Sequence, residues 1–121
     1  MLEIQKDYND EYIVYEFIGS MNLRDLEKVE HMIREDISQT YAFIFSFRYL
    51  HYIDADAVKL LQKVYLLGVN NACEMVISGL NVQVAMMLEI FQADKLYTIK
   101  SKLKDAQEML DGGHDEAMYY S

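Results

Sequence analysis

Hydrophobic and polar residues follow two different periods along this chain, and each change of period marks a predicted element. Short β-branched and aromatic runs at 2–5 and 11–17 predict two opening strands, joined by a turn over 7–10. From Asn22 to Ile37 apolar residues recur every three or four positions, which predicts an amphipathic helix with Asn22 as its N-cap. The chain is therefore expected to begin β-β-α.

The remainder alternates between buried strands and capped helices. The segment 41–47 is almost continuously apolar, as in a strand that helices cover on both faces. The later predicted elements are a helix from Asp54 to about Gly68, a strand at 72–78, a helix over 81–92, a strand at 96–99 and a helix over 101–110. The order β-β-α-β-α-β-α-β-α predicts an α/β fold with about four helices and a mostly parallel sheet of about five strands.

Composition places this fold in a single domain. The chain has 121 residues, of which 52% are hydrophobic and 26% charged, which is enough apolar surface for a compact core. Residues 1–110 are the predicted domain, and the acidic stretch 111–121 after it is a predicted flexible tail.

Charge and cysteine content limit the partners and the compartment. The net charge of −9 argues against nucleic acid and anionic membrane surfaces as partners. Apolar runs are too short for direct membrane insertion, and the acidic N-terminal residues do not resemble a signal peptide. One cysteine cannot form an internal disulfide. These features predict a cytoplasmic location.

Candidate catalytic groups are scarce. The five glycines do not have the spacing of a phosphate-binding loop, and the three histidines lie far apart. His51 is near Asp54 but is more typical of a solvated residue than of a general base. Cys73 is expected to be a buried, inert thiol. The sequence thus predicts no enzyme, no cofactor and no metal.

Two features of the sequence each have two possible interpretations. Asp54 and Asp56 stand at a predicted helix start, where capping is the favoured interpretation and a divalent-cation site the other. Helix 81–92 is apolar around most of its circumference. Its excess apolar surface either lies under a neighbouring element or is offered to a partner through adaptable methionines.

Two local sequences resemble the STAS domain, the fold of bacterial anti-sigma factor antagonists and of the cytoplasmic ends of sulfate transporters. The first is the buried strand at 43–46 followed by 50–58, which is similar to the family's turn into a helix. The second runs from 76 to the acidic-alanine pair Asp105-Ala106. The resemblance covers residues 3–110.

The departures from the family pattern bear on regulation. In the phosphorylated antagonists the residue after the turn's aspartate is a serine or threonine that a kinase modifies, and here it is Ala55. Ala57 replaces a glycine and Ser46 an aspartate, whereas Asp54 is retained. The resemblance therefore implies a domain that is not switched by phosphorylation at this position. Asp56 would supply a permanent negative charge beside it.

The resemblance implies a non-catalytic protein-interaction module of bacterial signalling. Its partner would be a kinase-like anti-sigma factor or another STAS protein, and a homodimer is left open. The residues expected to bind the partner are Arg48, Tyr49, His51, Asp54, Ala55, Asp56, Lys59, Met86 and Met87. The alternative is an accessory STAS subunit of a membrane transport complex for lipids or anions.

Overall fold

Five strands and four helices alternate in the order that the sequence predicts, so the α/β prediction is confirmed. The computed structural model describes the backbone of residues 1–120 and the side chains of residues 1–111. The strands are β1 Leu2–Tyr8, β2 Ile13–Met21, β3 Ala42–Ile53, β4 Glu74–Ser78 and β5 Thr98–Lys100. The helices are α1 Leu26–Asp36, α2 Ala55–Asn70, α3 Val82–Ile90 and α4 Leu103–Tyr120. Apart from Asp111, the side chains of the predicted tail 111–121 lie outside the described residues, and its flexibility stays a prediction.

The sheet is mostly parallel, with strand order β1-β2-β3-β4-β5. Only the β1–β2 pair is antiparallel, because these two strands form a hairpin. Side chains alternate between its two faces. Phe43 and Phe45 of β3 point into a large core with α1, α2 and α3, whereas Ile44 between them packs in a smaller cluster with Ala106 of α4. The sheet is thus covered by three helices on one face and by α4 on the other.

A buried carboxylate attaches the edge strand β1 to the first helix. Asp36, at the end of α1, accepts hydrogen bonds from Lys6 Nζ at 3.1 Å and Tyr8 Oη at 3.3 Å. A third, short hydrogen bond comes from the Tyr15 hydroxyl of β2. A buried charge is stable only when it is paired and hydrogen-bonded, as it is here.

The predicted end of the third strand at residue 47 is wrong. Strand β3 continues to Ile53, so residues 48–53, between the predicted strand and the predicted helix, are also strand. The first strand likewise extends to Tyr8, past the start of the predicted turn. The last helix begins at Leu103, two residues later than predicted. The physical reason is that two register shifts in the pairing of β3 with β2 interrupt the regular pattern of the strand.

Candidate functional site

The end of strand β3 presents its side chains in an unusual order. Two register shifts in its pairing with β2 give β3 one extra residue each. Such bulges re-aim side chains and interrupt strict alternation. As a result two adjacent pairs are exposed, Arg48 with Tyr49 and His51 with Tyr52, while Leu50 and Ile53 remain in the large core.

Asp54 connects this strand to helix α2, and its two carboxylate oxygens and its N–H all form hydrogen bonds with the backbone. Its Oδ1 accepts the Ala57 N–H at 2.8 Å, which caps the helix, and its Oδ2 accepts the Leu23 N–H at 3.1 Å. Its own N–H donates to the carbonyl of Met21 at 3.2 Å. The capping interpretation is therefore confirmed for Asp54, which also fixes the segment that precedes α1.

The start of α2 carries the residues that the resemblance singled out. Ala55 is the first helical residue and is half-buried, Asp56 follows it and is exposed, and Lys59 is exposed one turn later. A carboxylate in the first turn is favourable to the helix dipole. Within residues 1–111 no group of three acidic, histidine or cysteine side chains converges, so nothing supports the cation-site alternative.

Helix α3 is attached to the end of β3 by two amide side chains. Strand β4 ends at Ser78, opposite Ser46, so the later residues of β3 have no partner strand on that side. Asn81 Nδ2 donates to the Leu50 carbonyl at 2.7 Å. The Gln83 amide accepts from the N–H of Ile53 at 3.1 Å and donates to its carbonyl at 3.0 Å. Gln83 is not among the predicted site residues, because a glutamine inside a helix gives no sequence signal of a distant backbone partner.

The apolar excess of α3 is divided between the core and the surface. Val84 and Leu88 are fully buried, and Met87 is half-buried against the large core. The opposite side is open, and its members at four-residue spacing are exposed to 76% for Val82, 55% for Met86 and 65% for Ile90. Of the two alternatives for this excess, packing against the core holds for Met87, whereas the stripe Val82, Met86 and Ile90 is exposed.

Arg48 and Tyr49 lie on the other side of the sheet from this stripe. They line a groove together with Leu103 of α4 and Glu16 of β2. Arg48 Nε donates a short hydrogen bond to the Glu16 carboxylate, and its guanidinium lies 4.8 Å from the centre of the Tyr49 ring. The hydrogen bond to Glu16 raises the pKa of Arg48, which keeps this side chain charged. The predicted binding residues therefore fall into two groups that the sheet separates.

The candidate catalytic groups of the sequence remain without catalytic partners. Cys73 is buried, and desolvation raises the pKa of its thiol to about 11, so it is protonated at neutral pH as predicted. His51 is exposed, and no hydrogen bond to Asp54 is formed in the described part of the chain. Among the described residues, no helix combines the length and the apolar character needed to cross a membrane.

Comparison with solved structures gives the same architecture. An anti-sigma factor antagonist from Mycobacterium paratuberculosis matches with a TM-score of 0.81 at 12% identity, over 92% of this chain and 95% of that one. The anti-sigma factor antagonist SpoIIAA of Bacillus, in its unphosphorylated form, matches with 0.79 at 15% identity, over 91% and 97%. A sulfate transporter family protein from Wolinella succinogenes matches with 0.72 at 16% identity, over 81% and 83%. At these identities the similarity establishes the fold.

Sequence comparison supplies the family. No curated protein matches the chain. A family model of the STAS domain matches residues 3–106, which is most of the 121 residues. With five strands, four helices and this match in agreement, the chain belongs to the STAS domain family.

Proposed function

We propose that this protein is a non-catalytic interaction module of bacterial signalling that acts as an anti-sigma factor antagonist or a scaffold. Its docking surface consists of Ala55, Asp56 and Lys59 at the start of α2 and the exposed stripe Val82, Met86 and Ile90 of α3. The observation that carries the proposal is the stripe itself, because a helix face with three large exposed apolar side chains is typical of a protein interface. The similarity to anti-sigma factor antagonists supports this class of partner.

The two halves of the docking surface are adjacent. Gln83 binds the backbone of Ile53, two residues before α2, and Gln62 Nε2 of α2 donates to the Phe91 carbonyl at 2.8 Å, just after α3. Helices α2 and α3 therefore run side by side. Asp54 has a structural role beside this surface, since both its carboxylate oxygens accept hydrogen bonds from backbone N–H groups. Arg48 and Tyr49 are left out, because they lie on the side of the sheet that α4 covers. His51, which is also on β3, is left out of the proposal with them.

The chemistry of the α2 start favours an interaction that phosphorylation does not switch. Ala55 has no hydroxyl, and Ser46, a hydroxyl earlier on β3, is fully buried and out of reach of a kinase. Asp56 holds one negative charge there permanently, where a phosphate would add about −1.5 to −2. The partner expected is a kinase-like anti-sigma factor or another STAS protein.

Affinity capture from the source cell tests the proposal. The intact chain is used as bait beside the double variant Val82→Asp/Met86→Asp and the single variant Asp56→Arg. Both are expected to lose capture of the partner at least about tenfold, since a buried unpaired charge at an interface costs several kcal/mol. Mass spectrometry then identifies the captured protein.

Matched controls make the outcome specific. Tyr41→Asp/Val69→Asp places the same two charges on exposed apolar residues away from the docking surface. Glu27→Arg reverses a charge in the first turn of α1, as Asp56→Arg does in α2. Equal capture by the surface variants and the controls would remove the docking surface from consideration. Phosphate found on a hydroxyl beside the α2 start, after incubation with serine kinases, would contradict the unswitched interaction.

A second candidate is an accessory subunit of a membrane transport complex for lipids or anions. The fold similarity to a sulfate transporter family protein favours it. The same capture experiment separates the two, because this candidate requires an integral membrane ATPase or transporter among the captured proteins, and the first requires a soluble signalling protein.

A further inference from the structure

A row of polar residues crosses the sheet on the face that α4 covers. The row consists of residues that lie opposite one another on four adjacent strands: Glu16 of β2, Ser46 of β3, Ser78 of β4 and Lys100 of β5. Ser46 and Ser78 are fully buried, and neither hydroxyl has a hydrogen-bond partner within the described part of the chain. Burying a hydroxyl without a partner costs free energy, so this row is not explained by packing.

A cavity of ≈ 320 Å³ adjoins the end of this row, because Arg48, Gly79 and Ser101 of its lining follow Ser46, Ser78 and Lys100 along the chain. Its lining residues are Arg48, Gly79, Ser101, Lys102, Leu103 and Lys104. Half of them are cationic, although the chain as a whole carries a net charge of −9. Two of the three cations have a carboxylate partner elsewhere, Glu16 for Arg48 and Glu108 at 3.9 Å for Lys104, whereas Lys102 has none among the described residues. The lining of the cavity itself includes three cations and no acidic side chain. The charge of the lining therefore favours an anionic occupant.

Arg48 is held in a fixed orientation that suits an anionic occupant. Its Nε is taken by Glu16 and its guanidinium lies against Tyr49, so its direction is fixed from two sides. The hydrogen bond to Glu16 leaves the terminal amino groups as donors for an oxyanion. Gly79 has a φ of +74°, and a Cβ added there would lie 2.9 Å from Cβ of Arg48. A glycine is thus required where the chain that follows β4 approaches Arg48.

A second space continues from the same side chains. The groove of ≈ 510 Å³ shares Arg48 and Leu103 with the cavity. Its other polar lining residues include Asp7, Glu16 and Gln107, and Val14 provides an apolar contact. Carboxylate and amide oxygens accept hydrogen bonds, so the groove suits the hydroxyl or amino groups of a ligand. Both volumes fall at or near the range of small-molecule sites.

We propose that the cavity binds the phosphate group of a small organic phosphate, whose remaining atoms extend into the groove. A phosphate dianion matches the charges of Arg48, Lys102 and Lys104 better than a monoanionic carboxylate does. Arg48 would bind two of its oxygens, and the lysines would act as point charges. Donor groups on the organic part would then bind Glu16 or Asp7.

Titration of the intact chain with inorganic phosphate and with glycerol phosphate tests the site, with amide resonances followed by NMR at constant ionic strength. Saturable shifts are expected at Gly79 and at 101–104, and glycerol phosphate is expected to bind several-fold more tightly. The double variant Lys102→Gln/Lys104→Gln is expected to weaken both by about tenfold or more. Sodium chloride at the same ionic strength is expected to cause no saturable shift.

The matched control is Lys28→Gln/Lys95→Gln, which removes the same charge from residues that do not line the cavity. Equal weakening by this control would show a general charge effect and would overturn the site, as would linear, non-saturating shifts. Glycerol phosphate binding no tighter than inorganic phosphate would overturn the role of the groove. The site lies across the sheet from the docking surface, so a failure of partner capture leaves this test unaffected.

Discussion

Asp54 and Asp56 are two carboxylates at one helix start with different tasks. Asp54 binds two backbone N–H groups, whereas Asp56 is exposed. Their separation into a structural and a surface residue follows from which of them precedes the helix, because only the residue at the N-cap can reach the free amides of the first turn.

Replacing Asp54 by alanine is expected to destabilise the protein, and replacing Asp56 is not. Asp54→Ala removes the helix cap and leaves the Leu23 N–H without its acceptor, so the free energy of unfolding should fall by about 1–3 kcal/mol. Asp56→Ala should stay within about 0.5 kcal/mol of the wild type. Urea denaturation monitored by circular dichroism gives both values. An equal loss in the two variants would contradict this division.

Half of the role of Asp54 could be predicted from sequence. The cap depends on the residues immediately after it, and local sequence reveals such a pattern. The hydrogen bond to Leu23 joins residues 31 positions apart, which only the folded sheet brings together. The same limit applies to Arg48, whose partner Glu16 lies on another strand.

At the scale of elements, strand β3 is longer than its neighbours, and side chains form hydrogen bonds with the part of its backbone that extends beyond β4. Beyond Ser46 it has no strand neighbour on the β4 side, and Asn81 and Gln83 take that place. The burial pattern changes there as well, from six consecutive buried residues at 42–47 to Leu50 and Ile53, three apart. A continuous apolar run and strict alternation are the sequence signals of a strand, and 48–53 has neither, so the predicted strand ends at 47.

The Gln83 amide is expected to hold α3 in place. Gln83→Met keeps the size and removes both hydrogen bonds to Ile53, which should lower the free energy of unfolding by about 1–3 kcal/mol. Hydrogen exchange should accelerate most at the Ile53 amide. Gln62→Met is the comparison, because it removes only one hydrogen bond, to Phe91. Unchanged exchange at Ile53 in the Gln83 variant would argue against the attachment.

For the whole molecule, the sequence could predict the layers of the fold, but not on which face of the sheet each binding residue lies. The periods of the helices and strands were enough for the three-layer α/β arrangement. The predicted binding residues, however, are divided between two faces, with Arg48 and Tyr49 near α4 and Asp56 and Met86 near α2 and α3. The bulges of β3 add a second difference, because Leu50, which lies between them, faces the large core although simple alternation would place it with Ile44, and bulges leave no local signature.

The intact fold is expected to lose stability at alkaline pH. Desolvation raises the pKa of the Cys73 thiol to about 11 and raises that of the buried Tyr15 and Tyr97 phenols, also by burial. Above the unfolded pKa values, about 8.5 to 10, the unfolded chain releases these protons and the folded chain retains them. The stability from these neutral groups is therefore complete at pH 8 and decreases as the pH rises.

Cys73→Ala isolates one contribution to this alkaline loss. Urea denaturation at pH 8 and pH 10.5 should show a loss between the two that is about 1–2 kcal/mol smaller in the variant than in the wild type. Thr98→Ala, an exposed residue without a titrating group, is the control and should follow the wild type. Parallel losses in all three proteins would mean that Cys73 does not contribute.

The bulges of β3 also determine which substitutions this strand can accept. From Ala42 to Phe47 every side chain is buried, so most replacements there should abolish folding. After them, tolerance should follow a period of three, with permissive doublets at 48–49 and 51–52 separated by strict positions at Leu50 and Ile53. A saturation-mutagenesis profile of this strand would therefore look like that of a helix, although the backbone is extended throughout.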